Sequence, residues 1–126
     1  MTTHSTSSES DWLRNLMPHF LEQTKDRLTQ IEAHRQAIHN GSDVMAEMKA
    51  ICGIAHKISG TADTFGFRDL GVFSRNVENQ CLIETQCLEA PMVVWLRIEC
   101  ALTPLIKEIA NLIDPVIPPE RKGLHK

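Results

Sequence analysis

Residues 44–66 read VMAEMKAICGIAHKISGTADTFG. Apolar side chains recur at Val44, Met48, Ile51, Ala55, Ile58, Ala62 and Phe65, always three or four residues apart. That spacing holds one stripe on one side of an α-helix for about six turns. Ser42 supplies an N-cap oxygen ahead of the stripe, and Gly66 stops the helix behind it. A helix with one apolar side has to lay that side against other elements.

The flanking sequence provides those elements. Upstream, Leu13, Leu16, Met17, Phe20, Leu28, Ile31 and Ile38 fall at helical spacing, and Asn40-Gly41 supplies the left-handed residue on which a helix ends. Ser8-Glu9-Ser10-Asp11 can cap its start, and residues 1–9, Ser/Thr-rich without apolar periodicity, read as a flexible tail. Downstream, Leu70, Phe73, Val77 and Cys81 carry a third helix, followed by a connector over about residues 84–90. Pro91 suits the first turn of a fourth helix, because the N–H it lacks has no partner there anyway. Val94, Trp95, Ile98, Leu102, Leu105, Ile109 and Leu112 form its stripe, and Pro104 inside it is expected to kink or split it. Asp114-Pro115 ends it, leaving residues 115–126 as a polar tail. Four amphipathic helices with short connections predict an all-α fold, an up-down-up-down antiparallel four-helix bundle over residues 10–114. The sequence contains no strand pattern, internal repeat or sustained heptad.

Composition narrows the function. The 126 residues fit one domain, large enough to bury a core without staples. Thirteen Lys and Arg against 16 Asp and Glu give a net charge of −3, which does not favour nucleic-acid binding. No apolar run is long enough for a transmembrane helix, and the first residues are too polar for a secretory signal, so a cytoplasmic chain is expected. Cys52, Cys81, Cys87 and Cys100 form no CxxC pair and read as reduced, small apolar side chains.

One residue on the second helix stands apart from the stripe. On a helical wheel His56 lies about 120° from Val44, off the core side. Lys49 and Asp63, seven residues before and after it, share its angle, and Gly53 and Gly60 fall just beyond. Helical side chains lean toward the N-terminus, so residue 60 would cover the imidazole, and a glycine there leaves it open, with Gly53 and Ser59 keeping the surroundings low as well. Each interior glycine costs about 1 kcal/mol relative to alanine, so two beside one exposed histidine point to a need for access. A neutral imidazole, with an ordinary pKa of about 6.5, is a competent phosphoryl acceptor near neutral pH. Phosphoryl transfer asks mainly for positioning and charge stabilisation, which Lys57, Lys49 and Arg68 are placed to supply. His4, His19, His34, His39 and His125 read as solvated polar residues.

The segment Ala55-His56-Lys57-Ile58-Ser59-Gly60-Thr61-Ala62-Asp63-Thr64-Phe65-Gly66-Phe67 resembles the signature of histidine-containing phosphotransfer domains. These show a small residue, the histidine, any residue, an aliphatic, usually a lysine, then a glycine. On that resemblance His56 corresponds to the phosphorylated histidine, Gly60 to the glycine that leaves it open, Ile58 to the aliphatic core position and Gly66 to the helix-ending glycine. Ser59 stands where the family usually has lysine, and a lysine stands at Lys57 instead. The resemblance extends over about residues 10–113. It implies a non-enzymatic phosphorelay intermediate of two-component signal transduction. Such a protein takes a phosphoryl group from the phospho-aspartate of a response-regulator receiver domain and passes it to another. A hybrid sensor histidine kinase is then the expected upstream partner. The same resemblance implies no cofactor of its own, Mg²⁺ coming with the receiver, and a monomer that docks through Cys52, Gly53 and Asp63, with Ala62 in a small apolar patch.

Three other readings compete. A helical adaptor that binds receiver or kinase domains without phosphoryl chemistry would keep fold and docking face. A metal-binding bundle would need ligands one helical turn apart, whereas His34 and His39 are five apart and no Glu-x-x-His occurs. An enzyme would need a phosphate loop, nucleophile elbow or paired carboxylates, and none is present.

Overall fold

The computed structural model describes the backbone of residues 2–84 and 86–113 and the side chains of 14–84 and 86–113. The described residues form four α-helices: α1 Thr2–His39, α2 Val44–Thr64, α3 Arg68–Glu84 and α4 Pro91–Ile113. Each packs on its sequence neighbour, and α4 returns against α1, which closes the expected bundle.

The turns follow from local chemistry. Gly41 and Gly66 have φ of 94° and 77°, a conformation costly for residues with a Cβ. Beside each, two backbone bonds close a Schellman motif. Ser42 N–H donates to Ala37 O and Gly41 N–H to Ile38 O, while Phe67 N–H donates to Ala62 O and Gly66 N–H to Asp63 O. α2 is capped by Asp43 rather than Ser42: the Asp43 carboxylate accepts from the N–H groups of Met45 and Ala46. The carboxylate adds a favourable charge at the positive end of the helix dipole, which a hydroxyl does not.

Two further expectations are corrected. Helical backbone begins at Thr2, so residues 2–9 extend α1 instead of forming a tail. Adding a turn to a nucleated helix costs little, and no Gly or Pro interrupts those residues. α4 runs unbroken through Pro104, so the proline does not split it. Pro104 and the neighbouring Thr103 are both exposed, and the Thr103 hydroxyl donates to Glu99 O on that outer side. The expected C-terminal tail, Trp12 and Leu13 lie outside the residues whose side chains are described.

The core comes mostly from the stripes the periodicity marks: Phe20, Ile31 and Ile38; Met48, Ile51, Ala55, Ile58 and Ala62; Leu70, Val77 and Cys81; Val94, Trp95, Ile98, Leu102, Leu105 and Ile109. Ile54, off the α2 stripe, is buried with them, whereas Met17, Leu28, Val44, Phe65, Phe73 and Leu112 are only partly buried against it. Each large side chain buried in this way contributes about 1.5–3 kcal/mol. At one end Phe20 stacks on Phe65 and Phe67, with centroids 4.6 and 5.0 Å apart, fastening α1 to the α2–α3 turn. At the other end Arg97 donates to buried Glu84 and to both carboxylate oxygens of Glu89, joining α4 to α3 and its connector. Ala55, Ser59 and Ala62 on α2 and Gly71 and Ser74 on α3 are small and buried, so these two helices approach closely. A Cβ at Gly71 would come within 2.9 Å of Asp63 Oδ1 and 3.2 Å of the Arg75 guanidinium, the ends of two side chains that could shift to admit it.

Candidate functional site

α2 and α3 run antiparallel, so descending four residues along α2 from Cys52 to His56 climbs three along α3 from Cys81 to Glu78. Both levels are bridged. Cys52 and Cys81 form a disulfide with Cα atoms 6.3 Å apart. His56 Nδ1 lies 2.7 Å from Glu78 Oε2. Seven residues further along α2, Asp63 is held by Arg75 through contacts of 2.9 and 3.1 Å.

His56 projects into solvent, with 77% of its side chain exposed, while Glu78 beneath it is 23% exposed. The other oxygen of Glu78 accepts a 2.5 Å hydrogen bond from the Ser59 hydroxyl, whose oxygen is also 2.9 Å from His56 O. Ser59 is only 8% exposed, so it sits inside the α2–α3 interface instead of keeping the surface around His56 low. Burial pulls the Glu78 carboxyl upward. The hydrogen bonds from Ser59 and His56 and the charges of His56 and Arg75 outweigh it and hold Glu78 below its ordinary value.

An ionised carboxylate only accepts hydrogen bonds, so the proton in the His56–Glu78 bond belongs to Nδ1. That assigns the neutral ring its Nδ1–H tautomer and leaves the Nε2 lone pair on the side away from Glu78. The arrangement holds a nucleophilic nitrogen in the open with a negative charge behind the ring.

The remaining site residues divide. Lys49, Cys52 and Gly53 line a groove of about 300 Å³ that also includes Glu78, Met45, Met48, Cys81, Leu82 and Val94. Gly60 and Gly53 face open space: a Cβ at either meets nothing within 4 Å, the imidazole included. A methyl group at 60 would therefore leave the ring uncovered, and only a longer side chain would reach over it. Lys57 is exposed, and its carbonyl accepts from Arg27 on α1. Among the described residues no hydrogen bond or ion pair joins the Lys49 or Lys57 ammonium to the imidazole. Asp63 is engaged by Arg75, and Ala62 is fully buried, so Ala62 is no part of a surface patch. The disulfide replaces the expected reduced state of Cys52 and Cys81, while Cys87 and Cys100 are free.

Reading along the chain missed Glu78, whose role depends on another helix. A signal existed. Gly71 and Ser74 mark where α3 closes on α2, and Glu78 is one turn past Ser74, beside the buried Val77.

Among the described residues no group of three or more His, Cys, Asp and Glu side chains converges as a metal site, and no helix is long and apolar enough to cross a membrane. The family model for the Hpt domain matches residues 15–113, a span that includes His56, Ser59 and Glu78. No curated protein and no solved structure gives a match.

Proposed function

Because the chain belongs to the Hpt domain family, whose role is histidine phosphotransfer in phosphorelays, we propose that His56 is the phosphoryl acceptor and that Nε2 is the atom that takes the group. The observation that carries this reading is the His56–Glu78 pair, with its exposed imidazole bonded through Nδ1 to a half-buried carboxylate. Nε2 attacks the phosphorus of a receiver phospho-aspartate in line, the Nε2–P bond forms, and the aspartate carboxylate leaves. The ring then carries both the phosphoryl group and the Nδ1 proton, so it is positive. Glu78 faces that charge at 2.7 Å and stabilises it. Transfer to a second receiver reverses these steps.

Ser59 is a positioning residue in this scheme. Its hydroxyl holds one Glu78 oxygen so that the other meets Nδ1. Where the family usually places a lysine that would face the phosphoryl group, this chain uses a hydroxyl that acts through the carboxylate. Lys57 and Lys49 remain as mobile cations on the exposed side, and Mg²⁺ is brought by the receiver. Docking uses the groove beside Cys52 and Gly53, whose apolar walls suit a transient partner. Receiver domains and a hybrid sensor kinase are the partners in this reading. The chain acts as a monomeric cytoplasmic carrier and catalyses no reaction alone.

The test mixes the protein with a phosphorylated receiver domain and Mg²⁺ and reads intact mass, with His56→Gln as control. The expected result is one added phosphoryl group, acid-labile and alkali-stable, that is absent from His56→Gln. Equal uptake by the variant, or no uptake across a panel of receivers, overturns the proposal and favours a binding adaptor.

A further inference from the structure

The Cys52–Cys81 bridge crosses the same two helices one turn from the His56–Glu78 pair, Cys52 on the His56 helix and Cys81 on the Glu78 helix. Both sulfur-bearing residues line the groove of about 300 Å³ that also contains Glu78. Cys52 is half-buried and Cys81 buried, so a small oxidant or reductant in the groove meets Cys52 first. The Cα separation of 6.3 Å falls within the span of about 4.4–6.8 Å that disulfides use.

We propose that Cys52 and Cys81 form a reversible redox site that sets the reactivity of His56, the disulfide state being the faster phosphoryl acceptor. This rests on the phosphoryl-acceptor reading of His56. In the oxidised form the α2–α3 spacing at this level is covalently fixed, and so is the distance across which Nδ1 reaches Glu78. In the dithiol form no bond holds the two turns together, and the two sulfurs must stand apart at van der Waals separation. The helices spread there, and the hydrogen bond that selects the Nδ1–H tautomer lengthens. The rate falls because the fraction of rings with Nε2 free and Glu78 behind them falls.

The redox step balances with a low-molecular-weight disulfide such as glutathione disulfide as oxidant. The Cys52 thiolate attacks one of its sulfurs, a mixed disulfide forms, and the first thiol leaves. The Cys81 thiolate then attacks the Cys52 sulfur and expels the second thiol. Cys52 and Cys81 together give up two electrons, and their two protons end on the two departing thiols. An excess of thiol reverses both steps.

The test isolates His56 from any docking partner by using phosphoramidate, whose P–N bond breaks with loss of ammonia as Nε2–P forms. Protein equilibrated with glutathione disulfide and protein reduced with excess dithiothreitol are compared by intact mass. Iodoacetamide labelling of Cys52 and Cys81 verifies each state. The expected result is uptake about fivefold slower after reduction, inside the roughly 100-fold range that a 1 Å misplacement can reach. The Cys52→Ser/Cys81→Ser double variant should match the reduced rate and ignore the redox state. Equal rates in the two states overturn the redox site while leaving the acceptor reading intact. Labelling of both cysteines after oxidation does the same. No uptake in either state overturns both. A second readout needs no phosphoryl donor: the ¹⁵N shifts of His56 should show the Nδ1–H tautomer in the oxidised protein and a tautomer mixture after reduction. Identical spectra contradict the proposal.

Discussion

The bundle contains two histidine–glutamate pairs of nearly the same length and very different surroundings. His34 Nδ1 on α1 lies 2.6 Å from Glu47 Oε1 on α2, and His56 Nδ1 on α2 lies 2.7 Å from Glu78 Oε2 on α3. Both carboxylates are 23% exposed, but the His34 ring is 32% exposed and the His56 ring 77%. His34 is wedged between two helices and fastens the start of α2 to α1. His56 stands clear, with Gly53 one turn before it, Gly60 one turn after it, and Ser59 fixing the second oxygen of its partner. An imidazole–carboxylate hydrogen bond is therefore a structural clamp or a chemical site according to whether the far nitrogen is accessible. Geometry at the bonded nitrogen does not distinguish the two.

The comparison is sharpest where one ring is removed at a time. His56→Gln should abolish phosphoryl uptake while leaving stability within about 0.5 kcal/mol, as for an exposed position. His34→Ala should leave uptake intact and cost about 1–2 kcal/mol in a urea titration, since it strands a half-buried carboxylate. Reversed effects would exchange the roles of the two pairs.

The carboxylates extend the contrast. Glu78→Gln keeps an acceptor for Nδ1–H but loses the charge behind the ring, and uptake should slow about tenfold, as removal of a transition-state interaction of about 1.4 kcal/mol does. Glu47→Gln should leave the rate unchanged in the same single-turnover assay. Ser59→Ala should slow uptake by a smaller factor, about threefold, because Glu78 stays charged but loses its anchor.

Gly60 separates access from stability. Alanine there adds helix propensity and touches nothing, so Gly60→Ala should raise stability by up to about 1 kcal/mol with uptake from phosphoramidate unchanged. Gly60→Gln should slow transfer from a receiver more than uptake from phosphoramidate, because a long side chain obstructs the larger donor.

The smallest effect is on pH-dependent stability. The Glu78 carboxyl is held below its ordinary value of 4.5. The unfolded chain then binds its proton more readily than the folded one, so ionised Glu78 favours folding. That contribution is complete above the ordinary value and disappears as pH falls through the lower folded-state value. The stability difference between the protein and Glu78→Gln should shrink as pH falls below the ordinary value of 4.5, measured by urea denaturation.

The legible parts of this molecule are those that depend on one helix at a time. The stripe from Met48 to Ala62, the glycines at 41 and 66, Pro91 at the start of α4 and the position of His56 off the core side all follow from spacing along one segment. The parts that stayed hidden lie between helices. Glu78, the inward role of Ser59, the engagement of Asp63 by Arg75 and the Cys52–Cys81 bridge all depend on the antiparallel register of α2 and α3. Periodicity along one helix carries no information on that register. The Asp43 cap was missed for a local reason: it and Ser42 are neighbouring cap-forming residues, whose preferences differ by only a few tenths of a kcal/mol.

In the proposed function, Nε2 of His56 accepts the phosphoryl group because Glu78 holds the proton on Nδ1. This is tested most directly by phosphorylating ¹⁵N-labelled protein and assigning the phosphorylated nitrogen by ³¹P and ¹⁵N NMR. The expected product is a single species, with phosphorus on Nε2 of His56 and a proton retained on Nδ1. Phosphorus on Nδ1 of His56, or on any other residue, would contradict it.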